Sequence, residues 1–184
     1  MEMLGQELIQ IHDLAFEPYL SAEQIALRVG ELGTAIRAEY ADRQPIFVSV
    51  LNGAFIFAAD LVRAAAVDCE TAFTRLSSYE GTSSTGVVRS TLGLDVALAG
   101  RHLIVVEDIV DTGRTLHQFL GQLREQGPAS LKVVALLVKP EALEFPVDID
   151  FRGFEIPNRF VVGYGLDYNG RGRQLPHLYQ KHVE

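Results

Sequence analysis

Several short runs of apolar and β-branched residues constrain the fold of this chain more than any other feature. The runs at 46–51, 103–106 and 131–138 show almost no alternation of polar and apolar positions, which is typical of strands buried on both faces of a sheet. Helical segments separate them, and Ser21 with Gln24 forms a capping box that starts the first helix. The sequence therefore predicts an α/β fold, with a mostly parallel central sheet flanked by helices. Further strands are predicted at 71–76, 87–92 and 160–164, and further helices at 55–66 and 115–125.

The composition excludes several classes of protein. The 184 residues suffice for one domain with a full core. A formal net charge of -8 disfavours binding to nucleic acid, because a polyanion is repelled unless basic residues gather on one face. No apolar run approaches the ~18 residues of a membrane span, and the first residues lack the pattern of a secretory signal. We therefore expect a cytoplasmic protein that binds no membrane. Cys69, the single cysteine, excludes an internal disulfide and a thiolate metal cluster.

Residues 103–116 combine a strand, two acids and a turn rich in hydroxyl groups. The acids are Glu107 and Asp108, and the turn opens a helix whose first backbone amides favour a phosphate. Gly113 would let the phosphate approach the backbone closely. Two carboxylates beside a phosphate site repel that phosphate unless they bind ribose hydroxyls or a divalent cation. The motif therefore indicates a sugar phosphate with vicinal hydroxyls, although each acid taken alone could equally be a helix cap.

Residues 105–115 (VVEDIVDTGRT) resemble the phosphoribosyl pyrophosphate motif of type I phosphoribosyltransferases. Four more segments are similar, in the same order, to hypoxanthine(-guanine) phosphoribosyltransferases. They are residues 51–61, 77–86, 136–140 and 153–168. The resemblance implies a type I phosphoribosyltransferase fold, in which residues 1–184 form one domain. A small hood subdomain would consist of the N-terminal segment and residues from about 151 to 184.

The resemblance also implies an activity. The chain would transfer the phosphoribosyl group of phosphoribosyl pyrophosphate to N9 of hypoxanthine, and of guanine too, giving IMP or GMP and pyrophosphate in purine salvage. Mg²⁺ would be required, and the protein would be a homo-oligomer, a dimer or a tetramer.

The resemblance assigns the phosphoribosyl group to the acid pair and the turn. Glu107 and Asp108 would bind the ribose hydroxyls and support Mg²⁺, a hard cation that prefers carboxylate and phosphate oxygens. Asp111 would act as general base toward N7 of the purine. The residues that would hold the 5-phosphate are Asp111, Thr112, Gly113, Arg114 and Thr115.

The purine would be bound by residues at the end of the 131–138 strand and in the C-terminal segment. Lys139 would donate to the 6-oxo oxygen, Phe160 would stack on the ring, and the backbone of Val161 would contact the purine edge. Asp167 would lie beside the purine and take a second Mg²⁺. Outside the family context, Phe160 would be interpreted as a core residue.

Pyrophosphate would be bound by residues from three separate segments. These are Leu51, Asn52, Gly53, Ser78, Tyr79 and Arg173. Residues 78–86 would form a mobile lid, for which a plain hairpin tip is the alternative. Asn52 departs from the basic residue frequent in the family, so a backbone amide would act there, and Arg171 could share the role of Arg173. Family members have a cis peptide at the position of Leu51–Asn52, which the sequence alone does not indicate.

Other functions would account for part of this pattern. A xanthine or adenine phosphoribosyltransferase would share the motif. A regulatory protein that senses phosphoribosyl pyrophosphate and binds RNA would need a basic face, against a net charge of -8. A receiver-like phosphoacceptor would use the acid pair but leave the C-terminal segment unexplained. Neither a Walker-type loop nor a Gly-x-Gly-x-x-Gly turn occurs in the sequence, which disfavours nucleoside triphosphatases and dinucleotide-binding proteins.

Overall fold

The computed structural model describes residues 7–78, 88–90, 94 and 96–183, which form a six-stranded sheet, a four-stranded sheet and three α-helices. The strands are β1 (Ile9–Ile11), β2 (Leu14–Leu20), β3 (Ile46–Leu51), β4 (Glu70–Ser78), β5 (Val88–Ser90), β6 (His102–Val110), β7 (Ser130–Val138), β8 (Phe151–Glu155), β9 (Val161–Val162) and β10 (Leu178–Lys181). The helices are α1 (Ala22–Tyr40), α2 (Phe55–Ala65) and α3 (Arg114–Glu125), and a short 3₁₀ helix covers Pro140–Ala142.

The larger sheet has the strand order β5-β4-β3-β6-β7-β8. Its strands are parallel except β5, which runs antiparallel to β4. Residues 103–106 of β6 are fully buried, because α1 and α2 pack on one face of the sheet and α3 packs on the other. The predicted α/β architecture with a mostly parallel sheet is confirmed.

The first helix begins where the sequence predicts it. Ser21 Oγ accepts a hydrogen bond from the Gln24 amide at 3.2 Å, and the Gln24 side chain accepts one from the Ser21 amide at 2.9 Å. Ile25, Val29 and Ile36 are buried against the sheet. None of the helices in the described ranges is both long enough and apolar enough to span a membrane.

The smaller sheet joins the two ends of the chain. Its strand order is β1-β2-β10-β9, and its pairs are antiparallel, so that Leu178 of β10 lies opposite Leu20 of β2. We call this sheet and the residues from Ile156 onward the hood. The structure places it beside the carboxyl ends of the larger sheet, where Gly165 approaches the loop after β3.

The residues from 151 onward do not all belong to the hood. Phe151–Glu155 forms β8 and pairs in parallel with β7, so it is an edge strand of the larger sheet. A Cβ atom built on Gly153 would lie 2.2 Å from the Leu136 carbonyl oxygen, a distance that only glycine allows. The C-terminal part of the hood therefore starts after Glu155, later than the sequence predicts. The strand predicted at 160–164 is also shorter, since the backbone turns at Gly163 and Gly165.

The contact between α1 and α2 yields a stability prediction. A Cβ atom built on Gly33 would lie 2.6 Å from the Ala64 carbonyl carbon, whereas one built on Gly30, on the same helix, would meet no atom within 4 Å. We expect Gly33→Ala to lower the free energy of unfolding by about 1–3 kcal/mol through overpacking. Gly30→Ala should raise it by about 0.5–1 kcal/mol through helix propensity. Urea unfolding of both variants tests this, and equal effects would contradict it.

Candidate active site

The carboxyl ends of three neighbouring strands bring together residues that are far apart in the sequence. β6 lies between β3 and β7 and is parallel to both. The loop after Leu51, the acids at the end of β6 and Lys139 after β7 therefore share one edge of the sheet. Ligands of open α/β sheets bind at this edge.

Glu107 and Asp108 are adjacent in β6 but line different cavities. Glu107 lines a cavity of about 140 Å³ at the start of α3. Asp108 lines a second cavity, of about 210 Å³, together with Asp167. The difference follows from the alternation of side chains along a strand.

Both acids have raised pKa values. Burial, together with the charge of Asp108, raises the pKa of Glu107 well above its ordinary value. Burial raises the pKa of Asp108 to about 6, although the Ile109 amide donates a hydrogen bond to its carboxylate. The ionised form of this pair is therefore stabilised by any cation or hydrogen-bond donor that a ligand brings.

The loop after β3 packs directly on Asp108. The peptide bond between Leu51 and Asn52 is cis. A Cβ atom built on Gly53 would lie 1.6 Å from Oδ2 of Asp108, and one built on Gly165 would lie 2.2 Å from the Gly53 carbonyl oxygen. The backbone of Gly53 is thus held between the acid at the end of β6 and the hood.

The turn between β6 and α3 presents backbone amides to the smaller cavity. Gly113 precedes α3 with a φ of 77°, which glycine adopts without strain. The Arg114 amide makes a long hydrogen bond of 3.4 Å to Thr112 Oγ1, while its guanidinium lies over the Phe145 ring, 5.1 Å from the ring centroid. An anion here would therefore meet amides rather than the Arg114 side chain. The cavity is lined by Glu107, Ile109, Val110, Asp111, Thr112, Gly113, Arg114, Thr115 and Leu116.

Lys139 is a buried cation between two oxygen atoms. Its residue is 6% exposed, and its Nζ donates to Oδ2 of Asp111 at 2.7 Å and to Oδ1 of Asn158 at 3.3 Å. The sequence predicts Lys139 and Asp111 as site residues but misses Asn158. An asparagine between Pro157 and Arg159 is typical of a turn, so its position beside Lys139 is visible only in the fold.

Phe160 and Val161 lie at the mouth of the larger cavity. Phe160 is 42% exposed, and its ring centroid lies 6.1 Å from that of Phe16. Val161 is buried and begins β9, which pairs with β10. An aromatic ring half open to a cavity offers a face for a planar ligand. The cavity is lined by Asp108, Ile109, Asp111, Lys139, Phe160, Val161, Leu166 and Asp167.

Arg173 and Asp167 form an ion pair in the hood. Arg173 Nη2 lies 2.7 Å from Oδ1 of Asp167, and Nη1 donates to the Gly165 carbonyl at 2.7 Å. The Gly170 amide donates to the other oxygen of Asp167 at 2.7 Å. Arg173 makes these contacts, whereas Arg171 is exposed. The Arg173 guanidinium is thus held at Gly165, the hood residue that packs on the Gly53 loop.

The donor set of the larger cavity fits a magnesium ion that arrives with a phosphorylated ligand. In the part of the chain that is described, no three His, Cys, Asp or Glu side chains are grouped to hold a metal by themselves. Mg²⁺ commonly takes one or two carboxylates and completes its shell with water and phosphate oxygens. Asp108 and Asp167 supply such carboxylates because both line this cavity, while Glu107 lines the other cavity.

The predicted lid, residues 78–86, lies outside the described residues except for Ser78. Tyr79 is therefore also outside them. The backbone of Ser78 ends β4.

Known proteins similar in sequence to this chain are phosphoribosyltransferases. Residues 17–169 match the family model described as the phosphoribosyl transferase domain. The hypoxanthine-guanine phosphoribosyltransferase of Mycobacterium avium is 46% identical over 166 residues, covering 86% of this chain and 82% of that protein. This chain belongs to the hypoxanthine-guanine phosphoribosyltransferase family. The Lactococcus lactis enzyme of the same name is 44% identical over 170 residues, covering 90% of this chain and 91% of that protein.

Solved structures of this family share the fold. The crystal structure of a hypoxanthine phosphoribosyltransferase from Staphylococcus aureus has a TM-score of 0.86 at 33% identity and covers 90% of this chain and 91% of that chain. The family and the fold inferred from residues 51–168 are therefore confirmed.

Lys139 allows a test of whether this edge is built for stability or for ligands. We expect Lys139→Met to leave the free energy of unfolding unchanged or to raise it by about 1 kcal/mol, because an apolar side chain replaces a buried ammonium. Asp111 keeps its hydration, since its side chain is 48% exposed. Urea unfolding gives the difference.

Lys132→Met is the matched control. Lys132 pairs with Glu39 at 2.8 Å and Asp150 at 3.7 Å, and its side chain is 30% exposed. Its removal should cost at most about 1 kcal/mol. A loss above about 2 kcal/mol in Lys139→Met would assign the Lys139 ion pair a structural role.

Proposed function

We propose that this protein transfers the phosphoribosyl group of phosphoribosyl pyrophosphate to N9 of a 6-oxopurine, hypoxanthine or guanine, and releases pyrophosphate. The observation that carries the proposal is the adjacency of the two cavities, which share Ile109 and Asp111. One suits a phosphate at a helix N-terminus and the other suits a planar base. A ribose spanning the two would lie beside the acids at the end of β6.

The smaller cavity, at the start of α3, would bind the phosphoribosyl group of the substrate. The amides of Gly113, Arg114 and Thr115 would bind the 5-phosphate at the start of α3. Glu107 and Asp108 would bind the vicinal ribose hydroxyls, which are donors to a carboxylate. The desolvation that raises both pKa values makes these hydrogen bonds stronger than they would be in water.

One magnesium ion would be held by Glu107 and Asp108 and a second by Asp167, in each case together with oxygens of the substrate. When bound, the ions would neutralise charge on the pyrophosphate and so favour its departure. Arg173 would bind the same group from the hood. The backbone of Gly53 would approach the same group, since Asn52 supplies no charge.

The larger cavity, which Lys139 and Phe160 line, would bind the purine. Phe160 would stack on the ring, and Lys139 would donate to the 6-oxo oxygen. In the observed ion pair, Lys139 Nζ and Asp111 Oδ2 are 2.7 Å apart. The 6-oxo oxygen and the N7 proton are neighbours on one edge of the purine, so the two side chains can engage both at once.

Asp111 would move the proton of the reaction. As N9 forms its bond to C1′ of the ribose, the bond between C1′ and the pyrophosphate oxygen breaks and pyrophosphate leaves with the electron pair. The base would otherwise become cationic, and Asp111 accepts the N7 proton to keep it neutral. Lys139 stabilises the charge that develops on the 6-oxo oxygen.

Other parts of the proposal rest on the sequence and the family. The roles of Ser78 and Tyr79, the homo-oligomeric state and the cytoplasmic location stay predictions. A xanthine phosphoribosyltransferase is the alternative substrate assignment, because xanthine shares the 6-oxo group and differs at the 2-position.

The role of Asp111 predicts a loss of chemistry without a loss of binding. Asp111→Asn keeps an oxygen that can accept from Lys139 but cannot take a proton. We expect kcat to fall by about 10²- to 10⁴-fold while phosphoribosyl pyrophosphate still binds. Single-turnover nucleotide formation and a binding titration measure the two quantities.

Glu141→Gln is the control for loss of one carboxylate near the site, because Glu141 is exposed in the 3₁₀ helix after Lys139. It should leave kcat unchanged. An unchanged single-turnover rate in Asp111→Asn would remove Asp111 from the role of base.

The role of Lys139 predicts selectivity against adenine. An ammonium has donors alone and matches the 6-oxo acceptor, whereas adenine presents an amino donor there. Such a mismatch in a buried site discriminates by about 10⁴-fold or more. Lys139→Ala should therefore reduce kcat/KM strongly and in parallel for hypoxanthine and guanine, and barely change the poor value for adenine. A spectrophotometric assay with the four purines tests this, and an intact hypoxanthine-to-adenine ratio in the variant would refute it.

A further inference from the structure

A hydrogen bond behind the site ties the hood to α2. The hydroxyl of Tyr164 donates to Oδ2 of Asp60 at 2.6 Å, across 104 residues of sequence. Tyr164 is 8% exposed. Burial and the carboxylate of Asp60 raise the pKa of Tyr164 above its ordinary value, so the hydroxyl keeps its proton. None of the roles assigned above uses this pair.

Asp60 is fixed with respect to the loop after β3. It lies in the second turn of α2 (Phe55–Ala65), and this helix begins directly after the Gly53–Ala54 turn. The Ala58 amide donates to the Ala54 carbonyl at 2.8 Å, which joins the loop to the helix. A side chain that binds Asp60 is therefore held at a fixed position relative to the Gly53 loop.

Tyr164 has a backbone conformation that residues other than glycine rarely adopt. It has a φ of 45°, between Gly163 at 104° and Gly165 at 103°. A bulky residue stays in this region where its surroundings hold it. The Tyr164 amide donates to the Leu175 carbonyl oxygen at 2.8 Å, and the Gly165 amide donates to the Arg173 carbonyl oxygen at 3.0 Å. The side-chain hydroxyl adds a hydrogen bond from this segment to α2.

Gly165 connects Tyr164 to the pyrophosphate end of the site. Its carbonyl accepts from Nη1 of Arg173 at 2.7 Å. Its Cα packs so closely on Gly53 that a Cβ would lie 2.2 Å from the Gly53 carbonyl oxygen. A shift of Tyr164 would therefore move Arg173 relative to the Gly53 loop.

The purine end of the hood has a separate anchor. Val161 and Val162 of β9 pair with Gln180 and Tyr179 of β10, and the Lys181 amide donates to the Phe160 carbonyl at 2.8 Å. These backbone bonds hold Phe160 and Val161 without the Tyr164 hydroxyl.

We infer that Tyr164 is a positioning residue which, through Asp60, sets Arg173 against the Gly53 loop and so tunes recognition of the pyrophosphate group but not of the purine. The inference rests on the proposed function for the identity of the two ligands. It assigns the pair a role in one half of the site, which a residue important for stability alone would not have.

Tyr164→Phe tests the inference by removing one hydroxyl. We expect KM for phosphoribosyl pyrophosphate to rise by about tenfold, since a hydrogen bond to a charged group is lost. KM for hypoxanthine should stay within about twofold. Titration calorimetry with magnesium pyrophosphate alone should show the same loss of affinity without any reaction.

Variants at Asp60 test the same hydrogen bond from its acceptor side. Asp60→Asn retains an acceptor for the hydroxyl and should behave like the wild type. Asp60→Leu removes it and should reproduce the effect of Tyr164→Phe, and the double variant Asp60→Leu with Tyr164→Phe should be no worse than either single one. Arg63 is ion-paired to the other carboxylate oxygen of Asp60. Arg63→Gln removes this ion pair and keeps the Tyr164 hydrogen bond, so it should leave both KM values unchanged.

Tyr168→Phe is the matched control. It also removes a tyrosine hydroxyl that donates to an aspartate, at 2.8 Å to Asp13 in the β1–β2 turn, and neither KM should change.

Two outcomes would overturn the inference. One is an unchanged KM for phosphoribosyl pyrophosphate in Tyr164→Phe, and the other is an equal rise in both KM values, which would indicate general loosening of the hood. Failure of the proposed function is distinguishable, because the wild type would then form no nucleotide from any 6-oxopurine. In that case, calorimetry with magnesium pyrophosphate still tests whether Tyr164→Phe binds this ligand more weakly than the wild type does.

Discussion

β6 is hydrogen-bonded to β3 on one side and to β7 on the other, and every part of the candidate site depends on this parallel pairing. Parallel strands end at the same edge, so a loop, an acid pair and a lysine that are distant in sequence meet there. The side-chain alternation within β6 then sends Glu107 and Asp108 to different cavities. If β6 shifted by one residue, the two acids would exchange cavities.

The edge of the sheet holds charge that the fold alone does not require. Glu107 and Asp108 have raised pKa values because they are buried, and Lys139 is 6% exposed. A buried charge with incomplete compensation lowers stability unless a ligand completes its contacts. The same burial gives each hydrogen bond to a ligand more weight than it would have in water. Stability and recognition are therefore opposed at this edge.

Local patterns in the sequence predict the parts of the structure that local physics decides. The Ser21–Gln24 capping box and the apolar strand at 46–51 lie where they are predicted, since each depends on residues within a few positions. Hood strands β1, β2 and β10 are absent from the sequence prediction, because they are short and pair across the length of the chain. The sequence places residues 151–155 in the hood for a related reason: the position of this segment beside β7 depends on the close fit of Gly153 to Leu136. In the site, the motif residues come together as the family resemblance implies, whereas Asn158 and the Tyr164–Asp60 bond are visible only in three dimensions.

The contact between Lys139 and Asp111 has a consequence for what leaves the site. Under the proposed function, a free base presents an oxygen to Lys139 and an N7 proton to Asp111, so both members of the 2.7 Å pair gain a partner. The nucleotide formed keeps the oxygen but has a bare lone pair at N7. Once Asp111 gives its proton to solvent, two acceptors face each other, which is unfavourable. The Asp111 carboxylate that helps to bind the substrate would then favour dissociation of the product. The protonation state of N7 alone would thus decide whether the purine is bound or released.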